Sequence, residues 1–201
     1  MSGDENNIYF DFQFPVITNP FAAPEGYFHQ RMEVYIRLFS SQGNESIFIG
    51  SHELKTCPGG GWHARLSVAP FEETRLFIWN PSQLEQIDEG VSSYLRQDGK
   101  TIRAVVPKNF LPEIDSSWRY YVLIGSFDGL SCGFWRDRGD DNPLWQLGGT
   151  GLPVLDLLAP RWGRYSQKRQ LTRGELQPVG PGKLGFGFIL VFLMGFGFLF
   201  W

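Results

Sequence analysis

Ile8-Tyr9-Phe10-Asp11-Phe12-Gln13-Phe14 alternates so that Ile8, Phe10, Phe12 and Phe14 share one face. A period of two is that of a strand with one buried side. Pro15 ends the run, and Asn19-Pro20 through Gly26 reads as a turn-rich loop. Beyond it Met32, Val34, Ile36 and Leu38 alternate with Arg31, Glu33, Tyr35 and Arg37, giving a second strand. Shorter strands are expected at 46–50, 63–68, 74–79 and 101–106, separated by turn clusters such as Cys57-Pro58-Gly59-Gly60-Gly61 and Gln97-Asp98-Gly99-Lys100. Arg119–Ser126 (RYYVLIGS) is almost continuously apolar and should lie centrally in a sheet with both faces covered. Strands at this spacing, with no helical periodicity between them, predict an all-β chain folded as an antiparallel β-sandwich.

Composition agrees. The chain has 201 residues, 16% of them aromatic, with 24 Gly and 13 Pro, and room for one core of ordinary size. A net charge of −3 supplies no basic field for phosphates, which argues against a nucleic-acid partner. Cys57 and Cys132 fit neither a CxxC redox pair nor a four-thiolate zinc site, and they read either as a disulfide or as two separate thiols. Met1–Asn7 is polar and acidic, unlike a secretory leader. The expected layout is a sandwich domain at 1–176, a Pro/Gly linker at 177–183 and a hydrophobic tail at 184–201.

That tail, Leu184–Trp201, holds seven Phe and Trp residues and no charge, and as a helix it would span about 27 Å, close to a bilayer core. It is therefore a candidate transmembrane anchor, a buried final strand being the alternative. Arg161, Arg164, Lys168, Arg169, Arg173 and Lys183 precede it, which by charge bias would place the domain inside the cell.

Three ordered signatures give the chain a family likeness over about Ile8–Leu171. They are Asn19-Pro20-Phe21 with Gly26-Tyr27-Phe28-His29-Gln30 and Val34-Tyr35-Ile36; then Val122–Gly129, Phe134-Trp135-Arg136 and Trp145-Gln146-Leu147-Gly148-Gly149; then Pro153–Leu158 with Gln170-Leu171. Together they resemble the C-terminal, DOMON-like domain of glucodextranase, a module also found near the ends of amylopullulanases. The resemblance implies a DOMON-like or immunoglobulin-like sandwich. It also implies a non-catalytic carbohydrate-binding role beside α-glucan-degrading glycoside hydrolases, at the cell surface and outside the cytoplasm. Its partners would be an α-glucan or a cell-envelope glycan, a hydrolase domain, and the membrane through the tail. Two departures stand out: only Gly3-Asp4-Glu5 occupies the place of the family's leading strand, and Phe21 stands where the family commonly has Trp.

Sugar recognition needs flat aromatic faces with a few fixed polar groups around them. Trp135 and Trp145 sit in Gly- and Asp-rich loops beside Arg136, Asp137 and Gln146, and with Trp62 they form the expected carbohydrate-binding set; Trp79 and Trp118 read as core. Asp128, Asp137, Asp140 and Asp141 could gather round calcium, but ordinary turn and salt-bridge chemistry is the preferred explanation and no metal site is expected. A haem-binding electron carrier, another DOMON-type activity, would draw on His29, His52, His63, Met1, Met32 or Met194, none of which forms a convincing pair. No cofactor is expected. A docking module without sugar binding is the remaining alternative, and nothing identifies a catalytic acid and base.

Overall fold

The computed structural model describes residues 1–39, 41–81, 83–139, 146–160, 163–180 and 189–190. Its strands in chain order are β1 (Ser2–Gly3), β2 (Asn7–Gln13), β3 (Gln30–Arg37), β4 (Ser46–Ile49), β5 (His52–Thr56), β6 (Ala64–Val68), β7 (Arg75–Asn80), β8 (Gln83–Ile87), β9 (Ser92–Leu95), β10 (Thr101–Pro107), β11 (Arg119–Ser126), β12 (Val154–Leu157), β13 (Glu175–Leu176) and β14 (Ile189–Leu190). One sheet runs β1-β2-β10-β9, with β14 also beside β2; a second runs β12-β11-β3-β6-β7-β8; a third runs β13-β5-β4. The chain is all-β, with antiparallel pairing except where β13 meets β5 and β14 meets β2.

The first two sheets share one apolar core. Ile8, Phe10 and Phe12 of β2 and Ile102, Ala104 and Val106 of β10 pack with Met32, Val34 and Ile36 of β3, Leu66 and Val68 of β6, and Tyr120, Val122 and Ile124 of β11. Burying each large aliphatic or aromatic side chain contributes about 1.5–3 kcal/mol, so the alternation seen at Ile8–Phe14 is what joins these sheets. On the outer side of β2 the polar member Asp11 is also buried, because Arg103 Nε and an Arg103 Nη each donate to its carboxylate at 2.7 Å.

The third sheet was not foreseen. It covers part of the other face of the second sheet, where Ile47, Ile49, Leu54 and Leu176 close over Tyr35, Tyr121, Leu123, Trp62 and Trp135. β11 is thereby buried on both sides, as its apolar run required, although it lies next to the edge of its sheet. A short helix, Gln167–Arg173, was likewise unexpected; Gly174 ends it at φ 68°, the left-handed conformation of a helix C-terminal stop.

The edge of β2 away from β10 is partnered by β1 at Ile8 and Tyr9 and by β14 at Phe12 and Gln13. The rest of the 184–201 tail lies outside the described residues, and so does the proposed anchor. Among the described residues no helix is long and apolar enough to cross a membrane. Val179, within the expected linker, exchanges two backbone hydrogen bonds with Tyr120 at 2.8 and 2.9 Å. Cys57 is a free thiol, so the alternative of a Cys57–Cys132 disulfide is set aside.

Candidate functional site

Three loops meet at one end of the second sheet because the strands they join are antiparallel neighbours: the loop before β3, the β6–β7 turn and the segment after β11. Each carries phenylalanine to the same place. Phe21, Phe28, Phe71, Phe127 and Phe134 line a cavity of about 380 Å3, with Glu73, Asp128 and Arg136 at its polar margin. The rings touch in series: Phe28 lies 4.5 Å from Phe21, 5.9 Å from Phe71 and 5.6 Å from Phe127, and Phe127 lies 5.8 Å from Phe134. Phe28 and Phe127 are buried at the bottom, whereas Phe21 and Phe71 are 60% and 41% exposed.

Each loop is fixed by its own hydrogen bonds. Asn19 closes the Phe21 turn by accepting from Ala23 N and donating to Ala23 O, both at 2.8 Å. Glu25 accepts the backbone N–H of Phe71 at 2.9 Å and of Glu72 at 2.5 Å, tying the β6–β7 turn to the first loop. Asp128 accepts from Leu130 N at 3.0 Å and from Ser131 Oγ at 2.7 Å, shaping the third. All four non-glycine residues with positive φ among the described residues, Ala22, Phe71, Glu72 and Phe134, belong to these loops. Left-handed backbone at such residues costs of order 1–3 kcal/mol each and persists only where surrounding contacts impose it.

A second depression adjoins the cup through Glu73 and Phe134. It lies on the face of the second sheet that the third sheet leaves open, lined by Arg31, Glu33, Arg65, Ser67, Arg75, Phe77 and Gln86 among others. Arg31 is 3% exposed; its Nη2 donates to Glu33 Oε1 at 2.6 Å, its Nη1 to Val68 O at 3.2 Å and its Nε to Gly133 O at 3.2 Å. It therefore pins the third loop to the sheet at the wall of the second depression.

Of the five expected binding residues that are described, Arg136 alone lines the cup. Trp62 and Trp135 are each 1% exposed, so neither presents a ring face to solvent in this structure. Trp62 sits under the third sheet, its indole N–H donating to Ser46 O at 2.8 Å and its ring 5.1 Å from Tyr35. Trp135 lies against Gly125, where a Cβ would overlap its ring, and contributes only to the wall of the second depression. Asp137 points toward His52, 4.0 Å away, and Gln146 packs on Gly139. Trp145, with Asp140 and Asp141, lies outside the described residues. Trp118 is core, as expected, and Trp79 is half-buried against the second apolar cluster.

Of the haem candidates, Met194 lies outside the described residues, and Met32, His63 and His29 have other contacts. Met32 is sealed between the two large sheets, and His63 Nδ1 accepts Leu38 N at 3.2 Å. His29 sits edge-on to Phe28, and burial together with the nearby Arg136 charge pushes its pKa below the ordinary imidazole value. Among the described residues no group of three or more His, Cys, Asp or Glu side chains gathers as a metal site.

Phe28, Phe71, Phe127 and Phe134 were not among the expected site residues, because they come from three separate loops and only the fold brings them together. The available signal was Pro70-Phe71-Glu72-Glu73, a large aromatic in a polar turn.

A family model described as the C-terminal binding-module, SLH-like, of glucodextranase matches residues 1–178. No curated protein matches the chain.

Proposed function

Because the chain belongs to the family of SLH-like C-terminal binding modules of glucodextranase, a family of binding rather than catalytic domains, we propose that it is a non-catalytic carbohydrate-binding module whose ligand seats in the phenylalanine cup. The observation that carries this reading is the exposure of Phe21 and Phe71 above the buried Phe28 and Phe127, beside Glu73, Asp128 and Arg136. Apolar ring faces receive the C–H side of a pyranose, and charged groups at the margin receive its hydroxyls. The ligand is an α-glucan or an envelope glycan, and the module serves an α-glucan-degrading glycoside hydrolase at the cell surface by keeping substrate nearby through weak contacts.

Electrophoresis of the full chain through gels containing dextran, pullulan or starch tests this. Retardation in at least one gel, lost in Phe21→Ala/Phe71→Ala, is the expected result.

One feature favours a second reading. Leu130, on the rim of the cup, is 90% exposed, and an apolar rim beside exposed Phe21 also suits contact with another protein domain. Unretarded migration in every gel favours that docking role.

A further inference from the structure

We infer that the depression beside the cup is a second subsite that extends the proposed binding site across the sheet, so that the module takes a neutral hexose chain of several units rather than one terminal sugar. This rests on the sugar-binding reading of the cup.

The sheet register lays out the floor. Glu33 of β3 pairs with Ser67 of β6, which pairs with Arg75 of β7; one step along, Arg65 of β6 pairs with Phe77 of β7, which pairs with Gln86 of β8. Because these positions alternate with core residues, all of them face away from the sandwich core. They cross four strands, and at about 4.8 Å per strand the floor is about 14 Å long, more than one sugar ring occupies. Its near end meets the cup at Glu73 and Phe134.

The charges on this floor are paired. Arg31 is joined to Glu33, and Arg75 lies 2.9 Å from Asp88 and 3.4 Å from Glu73. With so little charge left over, the surface offers an anionic chain small advantage, whereas mixed donors and acceptors suit hydroxyls.

One contact is left unmade. Glu33 Oε2 and Arg65 Nε lie 3.9 Å apart, too far for a hydrogen bond, and neither has another hydrogen-bond partner, although the Glu33 side chain is only 3% exposed. A buried acceptor without a partner is costly. Water can donate to the carboxylate and accept from the guanidinium through one oxygen, and a sugar hydroxyl has the same capacity and can take its place. Arg65, 17% exposed and stacked 3.9 Å over Phe77, is the more accessible of the two side chains, so a hydroxyl would approach the pair from its side.

Calorimetric titration of the full chain with isomalto- and malto-oligosaccharides of two to seven units tests the inference. In the series that binds, affinity should rise about tenfold from disaccharide to the longer members, or about 1.4 kcal/mol. Arg65→Lys and Gln86→Ala should abolish that gain while leaving disaccharide affinity within about twofold. Gln86 is exposed on an edge strand, so its variant leaves the core unchanged. Phe71→Ala should weaken every member. Affinity independent of length, or a length gain untouched by both groove variants, overturns the second subsite while leaving the cup standing. Tighter binding of oligogalacturonates than of neutral chains overturns the neutral class, and no binding to any oligosaccharide overturns the inference together with the reading of the cup.

Discussion

The Glu25 carboxylate bridges two loops by accepting the backbone N–H of Phe71, and it takes the next N–H, that of Glu72, as well. Both donors belong to residues with φ of 60°, so the carboxylate holds a turn that neither side chain would choose by itself. The consequence is an exposed phenylalanine with a fixed ring. Glu25→Ala should therefore reduce retardation in glycan gels nearly as far as Phe71→Ala does, with little change in melting temperature because the contact is peripheral. Glu25→Gln, which keeps an acceptor oxygen, should fall between. Equal retardation of Glu25→Ala and wild type would show that the clamp does not govern the site.

Phe21 is 60% exposed, so Phe21→Ala should change folding stability by no more than about 0.5 kcal/mol while weakening glycan binding. Phe21→Trp enlarges the ring face and adds an indole N–H; its retardation should match or exceed wild type. Urea unfolding measured beside gel mobility separates the two effects.

Trp135 needs Gly125 beneath it. β11 breaks register against β12 between Ile124 and Gly125, and the indole occupies the space a Cβ would take. Gly125→Ala should cost about 1–3 kcal/mol by overpacking. Trp135→Ala should cost about 3–5 kcal/mol by leaving a cavity. Because one substitution vacates the space the other needs, the double variant should cost less than the sum, a non-additivity that urea titration reads directly.

Asp156 on β12 is pushed up to about 6 by burial, only partly offset by the Leu157 N–H it accepts at 2.9 Å. A carboxyl raised in the folded state binds its proton more tightly there than in the unfolded chain. Its contribution to stability is thus fully present below about pH 4 and is lost as pH rises through about 6. Asp156→Asn should match wild type near pH 4 and melt higher than wild type at pH 8. Parallel melting curves across that range would count against the assignment.

Much of the fold was legible locally. Alternation at Ile8–Phe14 and Met32–Leu38 gave the strands and their inward faces, and the unbroken apolar run at Arg119–Ser126 announced a strand covered on both sides. The third sheet was not legible. β5 (HELKT) and β13 (EL) are short and polar-flanked, and β13 gains its place only by pairing with β5, which lies over a hundred residues earlier in the chain.

The sequence by itself determined the strand-rich class, the buried faces of the principal strands and a Phe at position 21 in an Asn-Pro turn, because these depend on neighbours along the chain. Tertiary structure decided which aromatics face water. Trp62 and Trp135 have loop surroundings in sequence, yet one is roofed by the third sheet and the other lies on Gly125; Phe71 and Phe21 stay exposed because Glu25 draws their loops together at an open end. Exposure depends on what arrives from distant segments, and a local pattern does not record it.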